Sequence, residues 1–343
     1  MITLPTRASI IIVNWNGKHL LKQCLSSVFA QSMIESPSGD SSRAKRSKDF
    51  EVILVDNASA DGSADFVKKA YPKVKIIQNR SNRGFAEGNN IGIRAASKDS
   101  EYIALLNTDA RPSRNWLKEL IAAAESHPEA GSFTPKVVFP DGRINSAGHA
   151  IFRTGDVKNI GVFQEDKGQF DREANVFGVA ATASLYTRRM LEDTKMGGNY
   201  FDPLYFAYYE DSDLDFRAAM LGWKSLLVPS AKVIHLLGAS GSSPAQAYYI
   251  ERNRRWFFLK NFPARELLLS LPFFAIYNAA SILNLAIVRR HPLTAMRACL
   301  DAALGLPSIL AKRAETQAML KRRAAKPIRF EGTGLGALLG KMR

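Results

Sequence analysis

At 343 residues the chain has ample length for a core, in one large domain or two, and its apolar and charged fractions (46% and 23%) are those of a folded soluble protein. Its two cysteines, Cys24 and Cys299, give neither a metal-ligand spacing nor a disulfide framework, which points to a reducing compartment. The formal charge of +15 is concentrated at one end: from Glu251 to Arg343 there are 17 Lys and Arg against 5 Asp and Glu, so the first 250 residues are near balance. Such a confined excess, beside an apolar stretch, favours an anionic membrane surface over nucleic acid.

In chain order, Ser9–Val13 reads as a strand ended by the turn Asn14-Trp15-Asn16-Gly17. This apolar run is too short for a signal-peptide core. Lys18–Gln31 follows as a helix, with Leu20, Leu21, Cys24, Leu25 and Val28 at helical spacing. Met33–Asp49 is rich in Ser, Lys and Arg without apolar periodicity, and reads as a flexible insertion. Phe50–Val55 is a second strand running into Asp56-Asn57, and a helix follows through Ala70. Val74–Gln78 is a third strand. Asn79–Asn90 reads as a Gly- and Asn-rich loop leading into a helix at Asn90–Ala96.

Tyr102–Leu106 is a short apolar run that reads as a buried strand, closed by Asn107-Thr108-Asp109 and Pro112. A carboxylate at the C-terminal mouth of such a strand is where open α/β sheets bind ligands. It is also an oxygen ligand suited to Mg²⁺ or Mn²⁺ bridging to a diphosphate. Trp116–Ser126 is the next helix, and the alternation of strands and helices predicts a parallel sheet of βαβ units. No GxGxxG follows the first strand, which argues against a dinucleotide fold.

Further on, Gly131–Phe139 and Ala174–Thr187 read as strands, the latter buried. Aromatic Phe201–Tyr209 runs into Glu210-Asp211, and Asp213–Leu221 reads as a helix whose Asp213 and Asp215 favour its dipole. Lys224–Val228 and Lys232–Ile234 are short strands with His235 just past the second. Tyr248–Phe262 is an aromatic, basic helix. Leu267–Val288 carries no charge and is long enough to span a bilayer or to lie on it, and a basic tail at Lys312–Lys326 precedes a Gly-rich end.

Asp56, Asp109 and Glu210-Asp211 thus stand at the ends of apolar runs. With IIIVNWNG (10–17), VILVDNASADGS (52–63), NRGFAEGNNIG (82–92), LLNTDA (105–110), YYEDSDLDFRAAMLGWK (208–224) and VIHLLGASG (233–241), the chain resembles the family 2 glycosyltransferases of the GT-A fold, in particular bacterial rhamnosyltransferase-like members. The resemblance covers about Ser9 to Pro263. It implies a Rossmann-like, mostly parallel α/β sheet flanked by helices in a catalytic domain over 1–262, and a basic, helical, membrane-associated region over 263–343.

By the same resemblance, Asn14, Asn16, Asp56 and Asn57 would line a nucleotide pocket, with Asp56 accepting hydrogen bonds from base or ribose. Arg83, Gly84 and Asn90 would sit by the ribose or diphosphate. Asn107 and Asp109 match the ends of the family's DxD motif, with Asn at its first position here. Asp109 would ligate Mg²⁺ or Mn²⁺, with His235 a further ligand. Asp211 would be the general base of an inverting transfer, with Glu210 beside it raising its pKa. The implied activity moves a sugar, rhamnose favoured, from a nucleotide-diphospho-sugar to a lipid-linked or polysaccharide acceptor at the cytoplasmic face of a bacterial inner membrane. Two other readings stand beside it: a sugar-phosphate nucleotidyltransferase, for which NWNGK is a poor signature, and a non-catalytic, membrane-attached glycan-binding protein.

Overall fold

The computed structural model describes residues 7–32, 50–236, 243–323 and 325–334. The expected insertion at 33–49 and the Gly-rich end beyond 334 lie outside the described residues. Four parallel strands form the N-terminal half of the main sheet: β1 (Ala8–Asn14), β2 (Phe50–Asp56), β3 (Lys75–Gln78) and β4 (Tyr102–Leu105), ordered β3-β2-β1-β4. Their connections are α1 (Lys18–Phe29), α2 (Ser63–Ala70) and α3 (Gly84–Ala95). The order reverses between β1 and β4, which opens a crevice at their C-terminal ends.

These strands are continuous apolar runs because both faces are covered. Ile10, Ile12 and Leu54 face one core with α1 and α4 (Trp116–Ser126). Ile11, Ile53 and Val55 face the other with α3. Beyond β4 the sheet becomes mixed. β11 (Leu185–Thr187) pairs antiparallel with β4 and with β6 (Ala130–Val138), and β6 runs parallel to β12 (Lys224–His235). Short strands β5 (Ala110–Pro112) and β10 (Ala174–Val176) add to β12, and β7 (Ile144–Ser146) adds to β6. A separate hairpin joins β8 (His149–Ile151) to β9 (Val157–Asn159).

The remaining helices are α5 (Arg188–Thr194), α6 (Glu210–Met220), α7 (Pro244–Asn261), α8 (Ala264–Leu283), α9 (Pro292–Leu304) and α10 (Leu306–Arg322). A π turn (Asn284–Val288) extends α8. An aromatic core of Tyr205, Tyr209, Phe216, Trp256, Phe257, Phe258 and Phe262 welds α7 to α6 and to the loop before it.

Four expectations are corrected. Helix α3 begins at Gly84, not at Asn90, because the polar side chains of the Asn-rich stretch are satisfied inside the fold. Asn89 Nδ2 donates to the Phe85 carbonyl (2.9 Å), and Asn90 bonds the backbone of Tyr200 and Phe201. Ala174–Thr187 is not one strand: β10 lies on the sheet edge, β11 is buried, and a loop separates them. β12 is a single strand through His235, with a register shift between Val228 and Lys232. Most of the expected basic tail from Lys312 is helical, within α10.

Helix α3 can lie close on β1 because it carries glycine there. A Cβ at Gly92 would stand 2.4 Å from Ile11 Cγ2, and one at Gly88 2.8 Å from Val13 Cγ1. Gly92→Val is therefore expected to lower unfolding stability by about 1–3 kcal/mol through overpacking. Urea denaturation checks this; an unchanged midpoint would contradict the close α3–β1 contact.

Candidate active site

The crevice at the C-terminal ends of β1, β2 and β4 gathers most of the residues singled out from sequence. On the β1–β2 side, Asn14 Nδ2 donates to Asp56 Oδ1 (2.9 Å) and to Ser59 Oγ (3.0 Å). Asp56 Oδ2 accepts from the Ser59 N–H (3.0 Å), and Asp56 is only 1% exposed. Asn16, with φ 52°, holds the same turn: its N–H donates to Ser59 Oγ and its Oδ1 accepts from Ala60 N–H. Asp56 thus organises the rim from beneath, while Trp15 stands exposed above it.

Asn57 ties this rim to α3, donating to the Gly84 carbonyl (3.0 Å) and accepting from Asn79 Nδ2 (2.8 Å). Gly84 has φ +80°, and a Cβ there would fall 2.6 Å from the Phe206 carbonyl oxygen, so both backbone and space require glycine. That oxygen also accepts from the N–H groups of Phe85 (2.7 Å) and Ala86 (3.1 Å). Arg83 is exposed at the helix start. Asn90 is elsewhere: it is buried, and its amide is committed to the Tyr200–Phe201 backbone.

Past β4, Asp109 Oδ1 lies 3.1 Å from His235 Nε2 at the end of β12, and Leu236 N–H donates to the Asp109 carbonyl. Asn107 Oδ1 is buried with no hydrogen-bond partner among the described residues. A carboxylate, an imidazole and a free amide oxygen at one strand mouth are donors that Mg²⁺ or Mn²⁺ accepts, with positions left for water and phosphate oxygens. Among the described residues no cluster of three His, Cys, Asp or Glu stands ready for a metal, so a ligand would have to complete the shell. Cys24 lies below: its thiol approaches the Asn107 carbonyl (3.5 Å). Burial, reinforced by the Asp109 charge, pushes the thiol up to about 12.

The acids of α6 reach the same crevice through the backbone of 181–182. Thr182 carbonyl accepts from Asn107 N–H (2.8 Å), and the neighbouring Ala181 N–H donates to Asp211 Oδ2 (3.3 Å). Asp211 Oδ1 accepts from Ser212 N–H (2.7 Å). Glu210 is buried, with Oε2 unpartnered; burial first, and then the Asp211 charge, holds its carboxyl well above the usual range. Near these acids, burial first, and then the charges of Glu210 and Asp109, raise the Tyr208 phenol.

Helix α6 starts at Glu210, three residues earlier than expected, which keeps Asp213 in its first turn and puts Asp215 beyond it; both are buried in ion pairs. Asp213 is fully buried between Lys260 (2.9 Å) and Arg217 (3.2 Å). Asp215 pairs with buried His149 (3.0 Å) and accepts from Val179 N–H (3.0 Å); burial pushes its carboxyl up to about 7.

Sequence reasoning missed the residues that set the loop before α6. Phe206, Tyr208 and Tyr209 all have positive φ, of 65°, 66° and 72°, Phe206 as the centre of a γ-turn closed by Ala207 N–H on the Tyr205 carbonyl (2.8 Å). Asn253 Nδ2 donates to the carbonyls of Tyr205 (2.9 Å), Ala207 (2.8 Å) and Tyr208 (2.7 Å). Arg252 donates to those of Leu204 (3.3 Å) and Tyr205 (3.0 Å), and Tyr249 stacks on Phe206 at 5.3 Å. The only hint in sequence was an Asn among the arginines of a helix otherwise read as basic and aromatic.

Comparison with known proteins places this geometry. The model of "Glycosyl transferase family 2" matches residues 9–194. An N-acetylglucosaminyl-diphospho-decaprenol L-rhamnosyltransferase of Mycobacterium tuberculosis is 27% identical over 229 residues, 61% of this chain and 74% of that protein. GalNAc-T7, solved with UDP, GalNAc and Mn²⁺, superposes with a TM-score of 0.58 at 18% identity over 82% of this chain and 52% of that one. S. aureus TarS 1–349 with UDP-GlcNAc gives 0.56 at 18% identity over 93% and 89%. The fold is the GT-A fold, with a helical C-terminal region.

Two consequences follow from the site. Asn253→Ala removes one donor from three carbonyls, and is expected to cost about 1–3 kcal/mol in unfolding stability; an unchanged denaturation midpoint would show that the loop holds itself. Glu210 has a folded pKa raised above its ordinary 4.5, so the native state keeps this proton longer than the unfolded chain. Its contribution is full below 4.5 and declines as pH rises. Glu210→Gln, which mimics the neutral acid, is expected to reduce that decline, so its stability relative to wild type should improve from pH 5 to pH 8 in paired urea titrations. A constant difference across that range would mean Glu210 is ionised in the fold.

Proposed function

From the premise that the chain belongs to glycosyl transferase family 2, we propose that it is an inverting transferase whose general base is Asp211 and whose donor diphosphate is held at Asp109. The observation that carries this reading is the convergence of the Asn14–Asp56 rim, Asp109–His235 and Asp211 on one crevice, linked through Gly84–Phe206 and Ala181–Thr182. The nucleoside would lie along Asn14, Asn16 and Asn57, with Asp56 beneath and Arg83 toward the diphosphate. Asn90 holds the wall behind this pocket.

In the transfer, the acceptor hydroxyl gives its proton to the Asp211 carboxylate while its oxygen bonds to the anomeric carbon. The bond from that carbon to the β-phosphate oxygen breaks on the opposite face, and its electron pair leaves with the nucleoside diphosphate. The Ala181 and Ser212 N–H groups donate to the two oxygens of Asp211 and keep its carboxyl group oriented. Glu210 beside it is buried, and that burial raises its carboxyl above the usual range. Asp109 and His235 would hold Mg²⁺ or Mn²⁺, aided by Asn107; such an ion supplies charge neutralisation of the departing diphosphate. Asn107 in place of an acid removes one negative charge from that donor set. The mycobacterial relative's name supports rhamnose as the sugar and a lipid-linked acceptor. The long apolar helix Ala264–Val288 supports association with the cytoplasmic face of a bacterial inner membrane.

The test offers dTDP-, UDP- and GDP-sugars to the purified protein with Mn²⁺ or Mg²⁺ and follows donor binding and hydrolysis. One donor is expected to bind in a metal-dependent way that Asp109→Ala abolishes. With an acceptor, Asp211→Asn should lower transfer by about 10²–10⁴-fold, the range for a lost general base, while donor binding persists. Glu210→Gln should retain most of the transfer. If no donor binds to the folded protein, the glycan-binding reading takes its place; if Glu210→Gln is the dead variant, the base is Glu210.

A further inference from the structure

Helix α8 is built inside out. Along one stripe its polar side chains face the protein: Glu266, Ser270, Tyr277, Asn278 and Ser281. Glu266 pairs with Arg153 (2.9 Å), and Ser270 accepts from the same arginine (3.4 Å). Tyr277 donates to Asp156 Oδ2 (2.5 Å), Asn278 accepts from Arg254 (3.2 Å), and Ser281 donates to Glu251 (2.5 Å). The opposite stripe is apolar and exposed: Leu268, Leu269, Leu271, Ile276 and Leu283, continuing to Ile287 and Val288 in the π turn. Helix α9 shares the outer half of this pattern: small Ala295, Ala298 and Ala302 pack inward, and Leu293, Met296, Leu300 and Leu304 face outward. Leu268, Val288 and Leu293 are each at least 70% exposed. A helix that hides its polar side and shows its apolar side is matched to surroundings less polar than the protein surface it rests on.

The surrounding charges say which surroundings. Arg265 (86% exposed), Arg297 (75%) and the exposed pair Arg289-Arg290 flank the apolar stripes, in a region with 17 basic against 5 acidic residues. Such arginines reach lipid headgroups while their stems and the neighbouring leucines enter the acyl boundary. Crossing the bilayer is a different matter. The segment Ala264–Val288 has the length to do so. Its midpoint, however, is where Tyr277 and Asn278 bind Asp156 and Arg254, and a spanning helix would carry those charges to the centre of the hydrocarbon.

We propose that α8 and α9 lie in the plane of an anionic membrane leaflet, seated by their outward apolar stripes, and that α8 does not cross the bilayer. The inference rests on the membrane part of the proposed function and is independent of the chemistry at Asp109 and Asp211. The seat is also wired to the site. Asp156, held by Tyr277 of α8, accepts through its other oxygen from Tyr209 (3.2 Å), the residue immediately before Glu210. The acids of α6 would therefore stand at a fixed height above the headgroups, where a lipid-linked hydroxyl emerges.

The test uses the full-length purified protein and two kinds of vesicle, phosphatidylcholine alone and phosphatidylcholine with phosphatidylglycerol. The protein should float with the anionic vesicles far more than with the neutral ones. Leu268→Glu with Ile276→Glu, both on the exposed stripe, should abolish flotation without lowering the thermal midpoint. Arg289→Glu with Arg290→Glu should weaken it by at least about tenfold. For depth, a dye is placed on Leu268→Cys, Ile276→Cys or Leu283→Cys in a Cys299→Ser background, with lipids brominated near the headgroup or near the chain end. All three positions should be quenched best by the shallow bromine. Deep quenching at Ile276 with shallow quenching at the other two would overturn the in-plane seat while leaving membrane association standing. No flotation with either vesicle, or a dimer in sedimentation whose formation the Leu268→Glu, Ile276→Glu pair abolishes, would overturn the membrane reading itself and assign the stripe to a second copy of the chain.

Discussion

The site depends on a stretch of backbone that would not hold its shape alone. Phe206, Tyr208 and Tyr209 have positive φ without being glycine, and each such residue costs roughly 1–2 kcal/mol. The offset comes from α7, 45 to 48 residues further along the chain. Asn253 shares its two amide hydrogens among three carbonyls and Arg252 gives two more hydrogen bonds, at about 1 kcal/mol per donated hydrogen, and the Phe206–Tyr249 stack adds to them. The two sides are of similar size, so α7 offsets the strain of the loop. What it gains is direction. The chain turns sharply enough to start α6 at Glu210 and to bring Asp211 to the Ala181 N–H.

Four acids in six residues would repel one another, and α6 separates them by helical phase. Glu210, Asp213 and Arg217, at spacings of three and four, share the inward face, where Asp213 meets Lys260 and Arg217, and burial raises the Glu210 carboxyl. Asp211 and Asp215, four apart, face the 178–181 segment instead. There Asp215 is paired with His149, and Asp211 is oriented by the N–H groups of Ala181 and Ser212. Gly178 belongs to the same arrangement, since a Cβ there would lie 2.0 Å from Asp215 Oδ2.

Which parts of this were legible in the sequence follows from where each element's partners lie. Strands β1, β2 and β4 are buried on both faces, so they appear as uninterrupted apolar runs, and the acids at the ends of β2 and β4 mark the crevice without further help. Asn90 misled because its partners are Tyr200 and Phe201, 110 and 111 residues away; an Asn-rich helix start and a polar loop have the same local composition. Asp213 and Asp215 misled for the same reason, since neither His149 nor Lys260 is near them in sequence. β12 looked broken at Pro229-Ser230 because its continuity comes from β6 and β5, not from its own pattern.

The C-terminal helices are therefore part of the site's construction. Lys260 reaches Asp202 and Asp213, Asn261 reaches Asp213, and Arg313 of α10 holds the carbonyls of Leu259 and Phe262 at the end of α7. Lys326 N–H donates to the Met220 carbonyl, which pins the chain beyond α10 to the end of α6. Lys260, Asn261 and Lys326 tie the helix that carries Asp211 to the C-terminal segments, and Arg313 braces the end of α7. Helix α8 meets the backbone before Glu210 through Asp156 and Tyr209, and α7 meets it through Asn253. That backbone is also held from α3, whose Phe85 and Ala86 N–H groups donate to the Phe206 carbonyl, so the crevice and the C-terminal helices grip the same few residues from which the helix carrying Asp211 starts.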